Sequence, residues 1–132
     1  MIVPDTSAWI EFLRSTDHTS THAIKALLEE QADVLLTECV LMEVLAGAKS
    51  EKDAIELRET FSSFPTLRLN GPPDFKEAAQ IYRTCRSWGH TLKSQIDCLI
   101  AVPVIRAGAE LLHNDSDFDA IARHSELRIY SP

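Results

Sequence analysis

Short apolar runs alternate with longer helical stretches along this chain, and this alternation is the feature that most constrains its fold. The predicted strands cover residues 2–3, 34–36, 67–69, 111–113 and 127–130. A first predicted helix has Trp9, Ile10 and Leu13 at helical spacing, and further helices cover residues 18–30, 38–46, 52–63, 74–88, 94–107 and 117–123. Apolar strands that alternate with helices indicate an α/β layer fold with a mostly parallel sheet.

The length of the chain, 132 residues, is enough for one domain with a core and too small for two. The sequence Asn-Gly-Pro-Pro at residues 70–73 predicts a turn and not a linker, so we expect a single domain over residues 1–132. No apolar stretch approaches the roughly 18 residues of a membrane span, and the first residues lack the features of a secretory signal. Three cysteines without a C-x-x-C pair favour a reducing cytoplasm.

Acidic side chains follow two of the predicted strands at the points where these strands end. Asp5 follows the first strand, and Asp115 and Asp117 follow the strand at residues 111–113. In sheets of this kind, ligands bind at the carboxyl ends of the strands. Glu43 and Asp97 lie inside helices among apolar neighbours, which predicts that each is half-buried or faces a cleft. These five acids are the candidate site residues, because a half-buried anion needs a partner.

Simpler roles exist for each of these acids when it is considered alone. Asp5 and Asp115 are residue types that cap helices, and Glu43 and Asp97 would be satisfied by Arg or Lys on neighbouring helices. The strand-end rule nevertheless brings the acids to one edge of the sheet. Two carboxylates about 5 Å apart repel each other by roughly 3 kcal/mol at an effective dielectric constant of 20. A cluster of them therefore favours protonation or a bound divalent cation.

The formal net charge of −7 argues at first against a nucleic-acid partner, because phosphate binding normally requires a basic surface. This objection disappears if the acids are ligands of a metal ion. Carboxylate oxygens suit Mg²⁺ or Mn²⁺, which keep water molecules for substrate phosphates. Such a site supports metal-assisted hydrolysis of phosphodiester bonds.

Four sequence blocks contain the five candidate acids and their neighbours: MIVPDTSAWI at residues 1–10, MEVLAG at 42–47, DCLIA at 97–101 and HNDSDF at 113–118. These blocks resemble the signature blocks of PIN-domain ribonucleases, and the subgroup they resemble is the VapC toxins of bacterial VapBC toxin–antitoxin pairs. They occur in the family's order, span nearly the whole chain, and fit the family's length. Each block alone is weak, but the set is specific.

The resemblance implies a PIN-like three-layer α/β fold and an Mg²⁺- or Mn²⁺-dependent endoribonuclease that inhibits translation by cutting a structured RNA such as tRNA or rRNA. It also implies a homodimer and a cognate VapB-like antitoxin whose C-terminal segment occupies the acidic cleft. By position, Asp5, Glu43 and Asp97 match the acidic triad of the family. Asp115 and Asp117 both fit the fourth acidic position, so both are retained as catalytic and metal-binding candidates.

Two prolines depart from the family's pattern. Pro4 removes one hydrogen-bond donor from the first strand, which is tolerated at a strand end. Pro103 stands where the family prefers alanine, and it is expected to kink its helix about one turn beyond Asp97. Thr6 or Ser7 matches the family's small hydroxyl residue, which contacts metal-bound water or fixes the first acid.

Two other classes of function remain open from the residues alone. The first is a non-catalytic PIN-like binding module whose acidic cleft receives a basic partner segment. The second is an aspartyl-phosphate phosphotransferase with Asp5 as the nucleophile, although Asp-Thr-Ser stands here in place of the D-x-D pattern of the haloacid-dehalogenase type.

Several other residues near the predicted site allow two interpretations. Arg83, Arg86 and Lys93 flank the end of a helix at Trp88, and they either guide RNA phosphates or form a solvated face. His113 is either a base or a structural histidine. Cys98 is expected to be a small core residue and not a nucleophile, because no basic residue adjoins it in the sequence.

Overall fold

Five short strands and seven helices alternate along the computed structural model, which describes residues 1–132. The strands are β1 (Ile2–Pro4), β2 (Leu36–Thr37), β3 (Thr66–Leu67), β4 (Glu110–Leu112) and β5 (Arg128–Ile129). The helices are α1 (Thr6–Leu13), α2 (Thr19–Glu29), α3 (Glu38–Ala46), α4 (Glu51–Phe61), α5 (Pro72–Ser87), α6 (Ile96–Ala107) and α7 (Asp117–Arg123). None of these helices combines the length and the apolar character that crossing a membrane requires.

All the strand pairs are parallel. β1 pairs with β4, and β4 pairs with β5, to form one three-stranded sheet. β2 pairs with β3, and a single parallel bridge between Ile2 and Val34 joins this pair to β1. The strands therefore lie in the order β3, β2, β1, β4, β5, and the prediction of an α/β fold with a short parallel sheet flanked by helices is confirmed.

A cluster of 30 buried hydrophobic residues forms the core, and helix α6 lies inside it. α6 packs against α3, α5, α7 and β4, and its Cys98, Ile100 and Val104 are fully buried. The helix continues through the buried Pro103 to Ala107, although proline cannot donate the backbone hydrogen bond of a helix interior. Helix α6 is thus packed on several sides at the point where Pro103, taken alone, would disfavour a helix.

Several elements begin or end at residues other than the predicted ones, in two cases because a side chain forms a hydrogen bond with the backbone there. β3 ends at Leu67 and not at Leu69, because the Leu69 N–H donates to Glu38 Oε1 at 2.7 Å. α6 begins at Ile96 and not at Ser94, since Ser94 Oγ accepts a hydrogen bond from the Ile96 N–H. α5 begins two residues early, at Pro72, because proline is suited to the first helical positions, which need no intrahelical N–H.

The carboxyl ends of β1 and β4 lie side by side, which fixes the place of the candidate site. Pro4 is the last residue of β1 and lies opposite Leu112. The N–H of the next residue, Asp5, donates to the Leu112 carbonyl at 2.8 Å. The segment that follows β1 and the segment that follows β4 therefore emerge at the same edge of the sheet.

Candidate active site

Asp5 lies at this edge, at the start of α1, and uses one carboxylate oxygen to cap the helix. Its Oδ2 accepts hydrogen bonds from the Ser7 N–H at 3.0 Å and from Ser7 Oγ at 2.6 Å. Its Oδ1 is buried and has no hydrogen-bond partner. The pKa of Asp5 is raised because burial, which leaves only 4% of the residue exposed, outweighs the opposing effect of the Ser7 hydrogen bonds. Helix capping therefore explains the position of Asp5 Oδ2 but not the burial of Oδ1.

Two hydroxyl groups hold two of the acids in place. Ser7 Oγ donates to Asp5 and accepts a hydrogen bond from the Asn114 N–H at 2.9 Å, so it connects the segments that follow β1 and β4. Thr6 Oγ1 donates to Glu43 Oε1 at 2.7 Å. Glu43 belongs to α3, and α3 begins directly after β2, where Thr37 Oγ1 caps it by accepting from a backbone N–H. Thr6 and Ser7 thus act on different acids.

Three carboxylates form the centre of the acidic cluster. One oxygen from each of Asp97, Asp115 and Asp117 lies within 4.8 Å of the others. Asp115 Oδ1 also accepts a hydrogen bond from the Asp117 N–H at 3.0 Å, which shapes the turn between β4 and α7. The structure therefore brings both candidates for the fourth acidic position to Asp97.

The electrostatics of Asp97 connect this centre to the other two acids. Burial, first, and then the charges of Asp5, Asp115, Glu43 and Asp117, in that order, raise the pKa of Asp97 to about 7. Asp97 lies in the first turn of α6, where the helix dipole favours an ionised carboxylate, but burial and repulsion are larger. All five acids predicted from the sequence therefore lie in one electrostatic environment. Neither Glu43 nor Asp97 forms a salt bridge with an arginine or lysine.

Lys93 is the basic residue that contacts the cluster. Its Nζ lies 3.5 Å from Asp115 Oδ1, and its backbone N–H donates to Asp117 Oδ2 at 3.0 Å. The sequence placed Lys93 near a helix end, but these two contacts had no sequence signal, because Lys93 lies in a loop without periodic spacing. One exposed lysine does not neutralise five acids.

Two further residues near the cluster, His113 and Cys98, have structural roles here. His113 Nδ1 accepts a hydrogen bond from the Asp115 N–H at 3.0 Å, and its Nε2 lies 3.1 Å from Asp119 Oδ1. Both ring nitrogens are therefore engaged, and the ring supports the loop that holds Asp115. Cys98 is fully buried, and burial raises the pKa of its thiol to about 12, so it is a core residue.

The fold and the arrangement of acids agree with a known class of protein. The family model of the PIN domain matches residues 2–124. The chain therefore belongs to the PIN-domain family.

Relatives within this family place the chain more closely. It is 41% identical over 132 residues to the VapC ribonuclease Mb1587 of Mycobacterium bovis, and the match covers 99% of this chain and 98% of the relative. Ribonuclease VapC11 of Mycobacterium tuberculosis matches with the same identity and coverage. The chain thus belongs with the VapC ribonucleases, as the four sequence blocks implied.

Solved structures with the same fold include toxin–antitoxin complexes. VapBC-1 from nontypeable Haemophilus influenzae gives a TM-score of 0.75 at 18% identity, over 99% of this chain and 98% of that chain. VapBC2 from Rickettsia felis, bound to a promoter DNA fragment, gives 0.74 at 18% identity over 98% of both chains. FitAcB from Neisseria gonorrhoeae gives 0.71 at 20% identity, over 100% of this chain and 98% of that chain. At these identities the likeness concerns the fold alone.

Proposed function

We propose that this chain, as one PIN domain over residues 1–132, is a metal-dependent endoribonuclease and the toxin of a toxin–antitoxin pair. The observation on which the proposal depends is the convergence of Asp97, Asp115 and Asp117 within 4.8 Å, without an arginine among them. Three carboxylates at such separations repel one another by about 3 kcal/mol per pair at an effective dielectric constant of 20. A divalent cation removes this repulsion.

The residues fit Mg²⁺ or Mn²⁺ as the cofactor. The donors are all carboxylate oxygens, which these ions prefer, and Asp5 Oδ1 is a buried oxygen that lacks any other partner. We propose that Asp5, Glu43, Asp97, Asp115 and Asp117 hold the ion, directly or through water. When bound, the ion would supply an activated water molecule and would offset negative charge on the phosphodiester group.

The side chains around the acids have definite tasks in this proposal. Ser7 Oγ holds Asp5 Oδ2, so the free Oδ1 keeps one direction. Thr6 Oγ1 holds Glu43 in the same way. Asp97, whose pKa is raised to about 7, is partly protonated at neutral pH and would release its proton if a cation bound beside it.

RNA is the proposed substrate because the relatives at 41% identity are named ribonucleases. A structured RNA such as tRNA or rRNA is the finer expectation, and it comes from the resemblance to VapC toxins. We also propose the cytoplasm as the location, which is in keeping with three buried cysteines that are all free.

A VapB-like antitoxin is the proposed protein partner, and VapBC2 and VapBC-1 among the similar solved structures support it. A groove of about 440 Å³, partly lined by Glu43, offers a place for the C-terminal segment of such an antitoxin. Ile10, Leu13, Val44 and Leu57 line its apolar part, and Glu43 connects it to the acid cluster. A homodimer is proposed as well, from the family resemblance.

The test is cleavage of labelled tRNA and rRNA by purified protein with Mn²⁺, with Mg²⁺ or with EDTA. We expect cleavage only with the ions. Loss of an outer partner of a metal site costs up to about 100-fold in activity. Because Asp5 and Asp97 are proposed ligands, Asp5→Asn and Asp97→Asn should each lower the cleavage rate by more than this. Asp33→Asn, which changes an exposed aspartate whose side chain makes no hydrogen bond, is the matched control and should cleave like the wild type.

Two outcomes would contradict the proposal. Unchanged cleavage by the Asp5→Asn and Asp97→Asn variants would remove the acids from the chemistry. Absence of cleavage and of Mn²⁺ binding, together with tight binding of a basic peptide, would favour the non-catalytic binding module.

A further inference from the structure

The stretch between Glu77 and Asp97 differs in charge from the rest of this acidic chain. Residues 78–96 contain no Asp or Glu, although the whole chain has 20 acidic residues. The same stretch contains Arg83, Arg86 and Lys93. It covers most of α5 and the loop that leads to α6, so it ends at the acid cluster. A basic surface next to an acidic centre is the arrangement that a phosphate-bearing chain needs.

The arginines of this region are not neutralised by acids. None of Arg83, Arg86 and Arg123 forms a salt bridge. Arg83 and Arg86 line a polar groove of about 440 Å³ on the last turns of α5. Arg123, at the end of α7, donates a hydrogen bond to His90 Nε2 at 2.7 Å, which fixes it beside the loop. These charges are free to bind phosphate oxygens.

An exposed aromatic stack adjoins two of these arginines in the sequence, because Trp88 lies two residues after Arg86 and His124 directly follows Arg123. Trp88 stacks on His124, with ring centroids 5.6 Å apart and an angle of 13° between the ring planes. Trp88 is nevertheless 73% exposed, whereas the other tryptophan of the chain, Trp9, is 2% exposed. Since His124 covers one face of the indole, the other face is open to solvent. Flat aromatic surfaces of this kind stack on nucleobases.

The stack is connected to the acid cluster through α7 and through the loop after α5. α7 begins at Asp117, and His124 follows its last residue. The seven residue steps from Asp117 to His124 span about 10 Å at the helical rise of about 1.5 Å per residue. Lys93, in the loop that follows Trp88, donates its N–H to Asp117. The stack and the acids therefore lie at opposite ends of one short helix.

We propose that Trp88 and His124 form a platform on which one unpaired base of the RNA substrate stacks, while Arg83, Arg86 and Arg123 bind the neighbouring phosphates. This inference rests on the proposed ribonuclease function, because it assigns a substrate-binding role next to the same site. Stacking tolerates every base, so the platform selects single-stranded segments and not a sequence.

The experiment measures binding without cleavage, by fluorescence anisotropy of a labelled single-stranded RNA decamer in EDTA. Trp88→Ala should weaken binding about tenfold, within the range that base stacking on an aromatic side chain provides. Trp88→Phe should restore most of the affinity, because a flat ring remains. Ile55→Ala removes an exposed apolar side chain on α4, which packs against α3, and should bind like the wild type.

A second measurement reports on stacking directly. In the Trp9→Phe background, Trp88 is the only tryptophan, and its fluorescence should be quenched by the RNA decamer. An abasic strand of equal length and charge should bind more weakly and leave the fluorescence nearly unchanged. Equal affinity of Trp88→Ala and wild type, or equal quenching by the abasic strand, would overturn the platform.

The failure of this inference and the failure of the proposed function give different results. Wild-type protein that does not cleave RNA in Mn²⁺ contradicts the nuclease function, whereas the platform is judged by binding in EDTA. Protein that cleaves RNA but binds it independently of Trp88 keeps the nuclease function and refutes the platform. Protein that binds no RNA decamer at all also refutes it.

Discussion

Replacing Asp97 with Asn tests whether the acid cluster destabilises the folded chain when no ion is bound. Burial and the neighbouring carboxylates raise the pKa of Asp97 from 3.8 to about 7. The folded chain therefore keeps a proton that the unfolded chain has already released, so the free energy of unfolding falls as the pH rises from about 4 to about 7. The difference between these two pKa values corresponds to at most about 4 kcal/mol, fully lost above about pH 7.

Urea denaturation in EDTA between about pH 4.5 and about pH 8 measures this loss. Asp97→Asn removes the charge without breaking a side-chain hydrogen bond, and it should exceed the wild type in unfolding free energy by up to about 4 kcal/mol at about pH 8. The advantage should shrink to about 1 kcal/mol at about pH 4.5, where Asp97 is protonated in the folded chain but already mostly ionised in the unfolded chain. Mn²⁺ should reduce the advantage at high pH, because the ion stabilises the folded wild type.

Asp33→Asn is the control, because Asp33 is exposed and distant from the cluster in the sequence, and it should follow the wild type at every pH. If Asp97→Asn and wild type lose stability in parallel over the whole range in EDTA, the repulsion assigned to Asp97 is wrong.

Two further variants test side chains that hold acids in place. Ser7→Ala removes the hydroxyl that contacts Asp5 and Asn114. Its cleavage rate should fall about 10- to 100-fold, and its unfolding free energy by about 1–2 kcal/mol; a wild-type rate would exclude a positioning role. Arg106→Leu leaves the buried Asp74 without its partner at 2.7 Å, whose hydrogen bond lowers the Asp74 pKa. Urea unfolding should show a loss of about 2–3 kcal/mol near neutral pH that shrinks below about pH 4; a loss independent of pH would contradict this.

The sequence was sufficient to predict the order of the elements and the edge at which the acids meet. Asp5 and Asp115 could be placed because each comes directly after a strand, and parallel strands end at a common edge. Glu43 and Asp97 could be placed facing a cleft because their neighbours in the sequence are apolar. These predictions depend on periodicity and on chain order, which a single sequence contains.

Contacts that depend on loops could not be predicted in this way. The salt bridge of Lys93 to Asp115 and the stack of Trp88 on His124 join segments whose relative position is set by the packing of α5 and α7 on α6. β3 ends earlier than predicted for a similar reason, because the Leu69 N–H donates to Glu38, which lies 31 positions away in the sequence. No local pattern specifies such pairings.

The hydrogen bond between Ser7 and the Asn114 N–H has a consequence for the synthesis of the protein. It joins residues 107 positions apart, and β1 forms its ladder with β4, which is also made late. Because a ribosome synthesises the amino-terminal part of a chain first, β1 and Asp5 are made long before β4, the strand that pairs with β1. A nascent or prematurely terminated polypeptide that lacks β4 thus also lacks the finished sheet edge at which Asp5 and the acids after β4 meet, so the acid cluster forms only after β4 has been synthesised.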